Sequence, residues 1–266
     1  MSFIIFIACY FTCIVIFGIV MIVVYITKYK DLPIEIWKPD AAWTRASIYF
    51  SFCNIIIILS GTAERILNQP LFTLIQITNP YWVVYCCFCF IYVFFAYWIL
   101  WSRMTLTFNR KYYIGSEIIF GLIWGFSTGG LLLSFYHLWG LINIPSLVHY
   151  LLTFASMGIW QYFFQDYFWD IYVSPEHDTP KSIIIKTLVC HIPNVAITLG
   201  FLTLWNNYAI FIAFYIFALI ASTIFQKFPA PWAKGIFHAP MIKPGIGGLP
   251  HGSGYLGDIA QPKEKI

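Results

Sequence analysis

Long apolar runs separated by short polar breaks set the pattern of this chain. Residues 3–27 are apolar almost throughout, and Lys28, Lys30 and Asp31 end the run. Comparable runs follow at 43–67, 81–101, 113–139, 145–172, 181–205 and 207–225. A helix that crosses a bilayer needs about 20 mostly apolar residues, and each of these segments meets that length. The pattern predicts an all-α, polytopic membrane bundle of about seven transmembrane helices. The first run has no charged residue before it and no small-x-small site after it, so it reads as a retained helix rather than a signal peptide.

The breaks carry local start and stop signals. Asn79-Pro80 introduces the third run, with Asn offering a cap and Pro suited to a first helical position. Asn206 and its neighbours alone separate the sixth run from the seventh, which predicts a tight antiparallel pair. In the second run Ser47, Ser51 and Asn54 share one helical face, and a polar face in a membrane helix is expected to turn towards other helices or water. Glu64 and Arg65 lie near the end of that run. Adjacent positions point to different sides of a helix, so these two are expected to find other partners. Gly121, Gly125 and Gly129 recur every fourth residue in the fourth run, a small-residue ridge that lets another helix approach closely.

After residue 227 the pattern changes. Pro229, Pro231, Pro240, Pro244, Pro250 and Pro262 alternate with glycines from Gly235 to Gly257. Such a segment sustains neither helix nor strand. Trp232, Ile236, Phe237, Met241, Ile242 and Tyr255 stand within it, and these are unusual in a disordered tail. The organisation expected is a transmembrane domain over 1–227 and a Pro/Gly-rich cytoplasmic tail over 228–266, either disordered or packed on the cytoplasmic face of the bundle.

Composition supports the bilayer reading. Hydrophobic residues make up 60% of the chain and charged residues 10%, against roughly 25% charged in a soluble domain. Lys28, Lys30, Lys38, Arg45, Arg103, Arg110, Lys111, Lys181, Lys186 and the tail lysines fall on one side of the predicted spans, and Arg65 on the other. Positive loops stay in the cytoplasm, so the N-terminus is expected outside, the C-terminus inside, and the chain in a cell or inner membrane. No basic block suited to tracking phosphates is present, and nucleic acid is not an expected partner. The seven cysteines lie in apolar runs and read as small hydrophobes, including the Cys86, Cys87, Cys89 group that a soft metal would otherwise suggest.

The candidate chemistry lies between the fifth and sixth runs. Asp166 and Asp170 are four residues apart and share a helical face. Glu176, His177 and Asp178 follow in a loop between Pro175 and Pro180, and His191 lies inside the sixth run with Asn194 and Thr198 continuing its face. Pro193 is expected to kink that helix and free a carbonyl. Carboxylates and imidazoles together suit a divalent metal ion, its identity open, or general acid–base work. The expected site is Asp166, Asp170 and His191, with Glu176, His177 or Glu117 completing it. His137 and His149 stand at the opposite helix ends and are assigned to the interface, which makes haem an unlikely cofactor. Three functions remain open: a metal-dependent membrane enzyme, or the metal-carrying subunit of one, acting on a lipid or small apolar molecule; a non-catalytic subunit of a larger membrane complex; and a channel or carrier.

Overall fold

The computed structural model describes residues 4, 8, 12, 16, 36–37, 39–101, 112–160, 184–225, 228, 230–233 and 237–238. Within them the chain is a bundle of helices. Ile4, Ala8, Thr12 and Ile16 are each helical. Helix α1 spans Pro39–Leu59, α2 Thr62–Leu67 and α3 Leu74–Thr78. Helix α4 (Pro80–Val93) runs on as a π-helical segment, Phe94–Trp101. Helix α5 covers Ile114–Trp139 and α6 Ser146–Trp160. A second π-helical segment, Lys186–His191, leads into α7 (Ile192–Trp205), and α8 (Tyr208–Phe225) follows. The described strand content is one two-residue pair, β1 (Ile36–Trp37) antiparallel to β2 (Phe237–His238).

Among the described residues, four helices are long and apolar enough to cross a membrane: Pro80–Leu100, Ile114–Trp139, Leu188–Trp205 and Tyr208–Phe225. Ala46–Leu59 and Ser146–Trp160 are shorter apolar helices. The second run does not form the single helix expected over 43–67. Gly61 adopts a left-handed conformation, φ 73°, and divides α1 from α2. The break is held by three hydroxyls: Ser60 Oγ lies 2.8 Å from Thr62 Oγ1 and 3.0 Å from Ser134 Oγ on α5.

Helices α5 and α8 form the central pair, and the glycine ridge is the reason. A Cβ at Gly121 would stand 2.5 Å from Ile220 Cα, and one at Gly125 would stand 2.5 Å from Ile216 Cα. One at Gly129 would meet Tyr215 and Ile212 at 3.0–3.1 Å. The partners descend along α8 as the glycines ascend along α5, so the two helices are antiparallel and their backbones nearly touch. Gly130 turns to the opposite neighbour, where a Cβ would meet Ile57 of α1 at 2.6 Å.

Contacts define two ends of this bundle. At one end Phe120 packs on Trp43 (centroids 4.8 Å) and on Phe228 (4.1 Å), while Trp98 meets Phe225 edge-on at 5.5 Å. Phe228 and Ala230 are buried, so the start of the tail seals this end, whereas Trp232 is exposed. At the other end the loop between α2 and α3 locks onto the α7–α8 turn. Asn206 sits there with φ 48°, as so short a connection requires. Asn207 Nδ2 donates to the Leu71 carbonyl at 3.0 Å, Gln69 Oε1 accepts from Tyr208 N at 2.7 Å, and Gln69 Nε2 donates to the Asn206 carbonyl. Helix α4 starts as expected, with Asn79 Oδ1 accepting from Tyr81 N and Pro80 in the first turn.

The polar face expected for the second run turns inward at one position of three. Asn54 donates to Ser127 Oγ of α5 at 3.0 Å, but Ser47 and Ser51 are exposed. Ser51 donates to the Ser47 carbonyl at 2.7 Å. A serine that satisfies its hydroxyl on the preceding helical turn has no need of a protein interior.

Candidate functional site

The site is built where the two π-helical segments face each other. Pro193 explains part of the geometry. It has no N–H to return to the carbonyl four residues earlier, which belongs to Val189. Tyr92 of α4 supplies the missing donor, its hydroxyl donating to that carbonyl. Two further tyrosines donate to carbonyls of α7: Tyr85 to that of Ile197 and Tyr150 of α6 to that of Ala196 at 2.5 Å. Gly200 admits Tyr85, because a Cβ there would lie 1.9 Å from the phenolic oxygen. Cys190 Sγ reaches the Ala96 carbonyl at 3.3 Å and ties one π segment to the other. In hydrocarbon an unsatisfied hydroxyl or carbonyl is costly, and these contacts satisfy both partners at once.

His191 closes the second π segment and is exposed. Its Nδ1 lies 3.4 Å from the Tyr97 hydroxyl, with ring centroids 6.2 Å apart at 69°. Tyr97, in the first π segment, is buried, and the Asn194 side chain neighbours its hydroxyl. Asn194 is 1% exposed, and its Oδ1 has no hydrogen-bond partner. The expectation that His191, Asn194 and Thr198 share one face needs correction. Asn194 and Thr198 are buried and His191 is not, because the ladder changes from π to α between His191 and Ile192. π-Helical turns inside α-helices are frequent at functional sites.

Glu117 lies in the first turn of α5 and is fully buried. Its Oε1 accepts from the Tyr113 N–H at 3.1 Å, and its carbonyl accepts from Thr223 Oγ1 of α8 at 2.7 Å. A carboxylate at a helix N-terminus complements the helix dipole. Glu117 thus has a structural role at the α5–α8 junction. It shares the bundle end with Tyr97, since Trp98 packs on Phe225 and the Glu117 carbonyl accepts from Thr223, both in the last turns of α8.

Asp166, Asp170, Glu176, His177 and Asp178 lie outside the described residues. Among the described residues no three His, Cys, Asp or Glu side chains come together to hold a metal ion. Cys86, Cys87 and Cys89 diverge, with Cys89 buried and Cys87 exposed. His149 Nε2 lies 2.7 Å from the Tyr136 carbonyl, and its ring stacks on Tyr136 at 4.4 Å. Arg65 lies over the Tyr208 ring at 6.0 Å. Sequence reasoning missed Tyr85, Tyr92 and Tyr97. The available signal was the placement of Tyr85 and Tyr92 seven residues apart, on one face of an apolar helix. No family model, curated protein or solved structure matches the chain.

Proposed function

We propose that this is a seven-span membrane protein, N-terminus outside, that binds a divalent metal ion at its cytoplasmic mouth and uses it on a lipid or small apolar substrate. The ligands are His191 with Asp166 and Asp170, completed by Glu176 or His177. The observation that carries the reading is His191 itself. It sits one turn inside a candidate span that begins at Leu188, yet it is exposed. An ionisable group at that depth needs partners, and its Nδ1 faces the Tyr97 hydroxyl. The preceding 25 residues supply carboxylates in number. The test is metal analysis of the detergent-purified chain, wild type against His191→Ala and Asp166→Ala. One equivalent of metal in the wild type, lost in both variants with the fold retained, supports the reading. A metal-free wild type after incubation with Zn²⁺, Mn²⁺ or Fe²⁺ refutes it. Single-cysteine labelling at position 177 tests the orientation: reaction from outside intact cells reverses it.

The second reading is a non-catalytic subunit of a larger membrane complex. It is favoured by α4 and the π segment that continues it, where Phe88, Phe90, Ile91, Phe94 and Phe95 are exposed. Isolation in mild detergent decides: a stoichiometric complex supports this reading, and a lone chain opposes it.

A further inference from the structure

The polar locks at the end holding the α7–α8 turn also fix the position of a cation. Ser60, Thr62 and Ser134 fasten the start of α2 to α5. Gln69 accepts from the Tyr208 N–H and fastens the chain just after α2 to the start of α8. Held on both sides, α2 brings Arg65 within reach of α5 and α8 together. Its guanidinium carbon lies 6.0 Å from the centroid of the Tyr208 ring. Its charge acts on His137, in the last turn of α5. The hydroxyls of Tyr136 and Tyr208 are in electrostatic range of each other. Tyr136 is itself oriented, because its ring stacks on His149 at 4.4 Å and its carbonyl lies 2.7 Å from His149 Nε2.

Four groups are thus gathered from three helices, and none is closed on a neighbour. The Arg65 guanidinium, the His137 ring and the Tyr136 and Tyr208 hydroxyls make no hydrogen bond or ion pair among the described residues. Each of them is able to donate, and the guanidinium can only donate. A cation over one ring face still has its N–H groups to satisfy. Glu64 does not satisfy them: it is exposed and forms no ion pair with Arg65 among the described residues, since adjacent helical positions point to different sides. The level in the bundle is also informative. His137 lies in the last turn of the candidate span Ile114–Trp139, and Tyr208 opens the span Tyr208–Phe225. Lipid headgroups lie at the ends of such spans.

We propose that Arg65, Tyr136, His137 and Tyr208 form a binding site for a phosphate group, carried by a lipid headgroup or free in solution. The planar Arg65 fork takes two phosphate oxygens. The two phenolic hydroxyls and one His137 N–H donate to the others. The set brings no negative charge of its own, and no member gives up a protein partner to bind. The site is independent of the metal reading, which concerns the opposite end of the bundle, and of which way the chain crosses the membrane.

The test is titration calorimetry of the full-length protein in an uncharged detergent. The probes are dioctanoyl phosphatidic acid, dioctanoylglycerol, which has the same chains without the phosphate, and inorganic phosphate. Wild type should bind a phosphate-bearing probe saturably and dioctanoylglycerol not at all. Phosphatidic acid binding far more tightly than inorganic phosphate assigns the site to a lipid headgroup, and equal affinities assign it to the free anion. Arg65→Gln should weaken the bound probe by about 10–100-fold, the worth of a hydrogen bond to a charged group. Tyr208→Phe keeps the ring under Arg65 and removes only the hydroxyl. It should weaken the same probe by a similar factor, whereas a ring serving only as a platform would leave affinity unchanged. Glu64→Gln, which removes a charge beside the site, should not weaken binding. A wild type that binds neither phosphate probe saturably overturns the proposal, as does equal binding of dioctanoylglycerol. Unchanged affinity in Arg65→Gln or in Tyr208→Phe overturns it too. Circular dichroism checks each variant's fold, and if Arg65→Gln misfolds, Tyr208→Phe decides alone.

Discussion

Gly125→Ala places a methyl group where the structure leaves no room. The added carbon would lie 2.5 Å from Ile216 Cα and 3.1 Å from Ile216 N, while ordinary contact starts at 3.4 Å. Both colliding atoms belong to the backbone of α8, so no side-chain rotation relieves the clash. The helices must separate by about 0.9 Å at this point, the difference between 3.4 and 2.5 Å. Gly121 and Gly129 lie one turn away on either side against the same helix, so the separation loosens the whole ridge. Overpacking of this kind costs about 1–3 kcal/mol. The opposing gain is the better helix propensity of alanine, at most about 1 kcal/mol. That gain shrinks in a membrane, because a separated span remains helical in lipid to satisfy its backbone. The expected net loss is about 1–2 kcal/mol, the overpacking cost less the residual propensity gain.

The control is Gly115→Ala in the same helix, where an added Cβ meets nothing within 4 Å. It keeps the small propensity gain and creates no clash. Thermal unfolding in one detergent should therefore place Gly125→Ala below wild type and Gly115→Ala at or above it. A Gly125→Ala midpoint equal to or above that of Gly115→Ala would refute the close-approach argument.

Three further outcomes follow from the same geometry. Tyr92→Phe removes the donor to the Val189 carbonyl and should cost about 0.6 kcal/mol, the average for interhelical hydrogen bonds in a membrane, and at most about 1.7 kcal/mol; in a Pro193→Ala background, where residue 193 regains an N–H, the same change should cost less, and equal costs in the two backgrounds would break the link to Pro193. Asn207→Ala removes the donor to the Leu71 carbonyl and the acceptor for Ile210 N; limited proteolysis should then cut within 68–73 faster than in wild type, and an unchanged rate would show that the lock does not hold the loop. Ser134→Ala breaks the three-hydroxyl contact at Gly61 and should lower the unfolding midpoint more than Ser51→Ala, whose hydroxyl bonds within its own helix.

The sequence was legible where the determining chemistry is local. The start of α4 follows from Asn79 and Pro80, and the α7–α8 turn follows from a connection too short for anything but a sharp reversal. The glycine ridge was visible as a four-residue spacing, although its partner helix was not. Gly61 was less legible. It lies in an apolar run, and its left-handed conformation is held by Ser134, more than seventy residues away. The π segments have no composition of their own. Pro193 signalled a kink in one of them, but the donor that answers it, Tyr92, comes from another helix. Ser47 and Ser51 misled because helical spacing cannot distinguish a serine bonded across helices from one bonded within its own.

The two ends of the bundle use polar side chains in different ways. At the end holding the α7–α8 turn, Gln69, Asn206 and Asn207 satisfy one another and the backbone nearby. The hydroxyls of Ser60, Thr62 and Ser134 do likewise. Groups closed on one another in this way hold helices together and leave little for a ligand. Along α7 and the π segment before it, Tyr85, Tyr92 and Tyr150 are equally committed to carbonyls. Towards the opposite end the pattern changes at Pro193. Asn194 buries an acceptor with no donor on it, and His191 faces out beside it. A packing role accounts for neither, because a leucine at either position would fill space at lower cost in hydrocarbon. Both residues lie at the junction of the second π segment with α7, and the sequence leading to them carries Asp166, Asp170, Glu176 and His177. The proposed function is therefore tested first at this end, by mutagenesis that starts from His191 and Asn194.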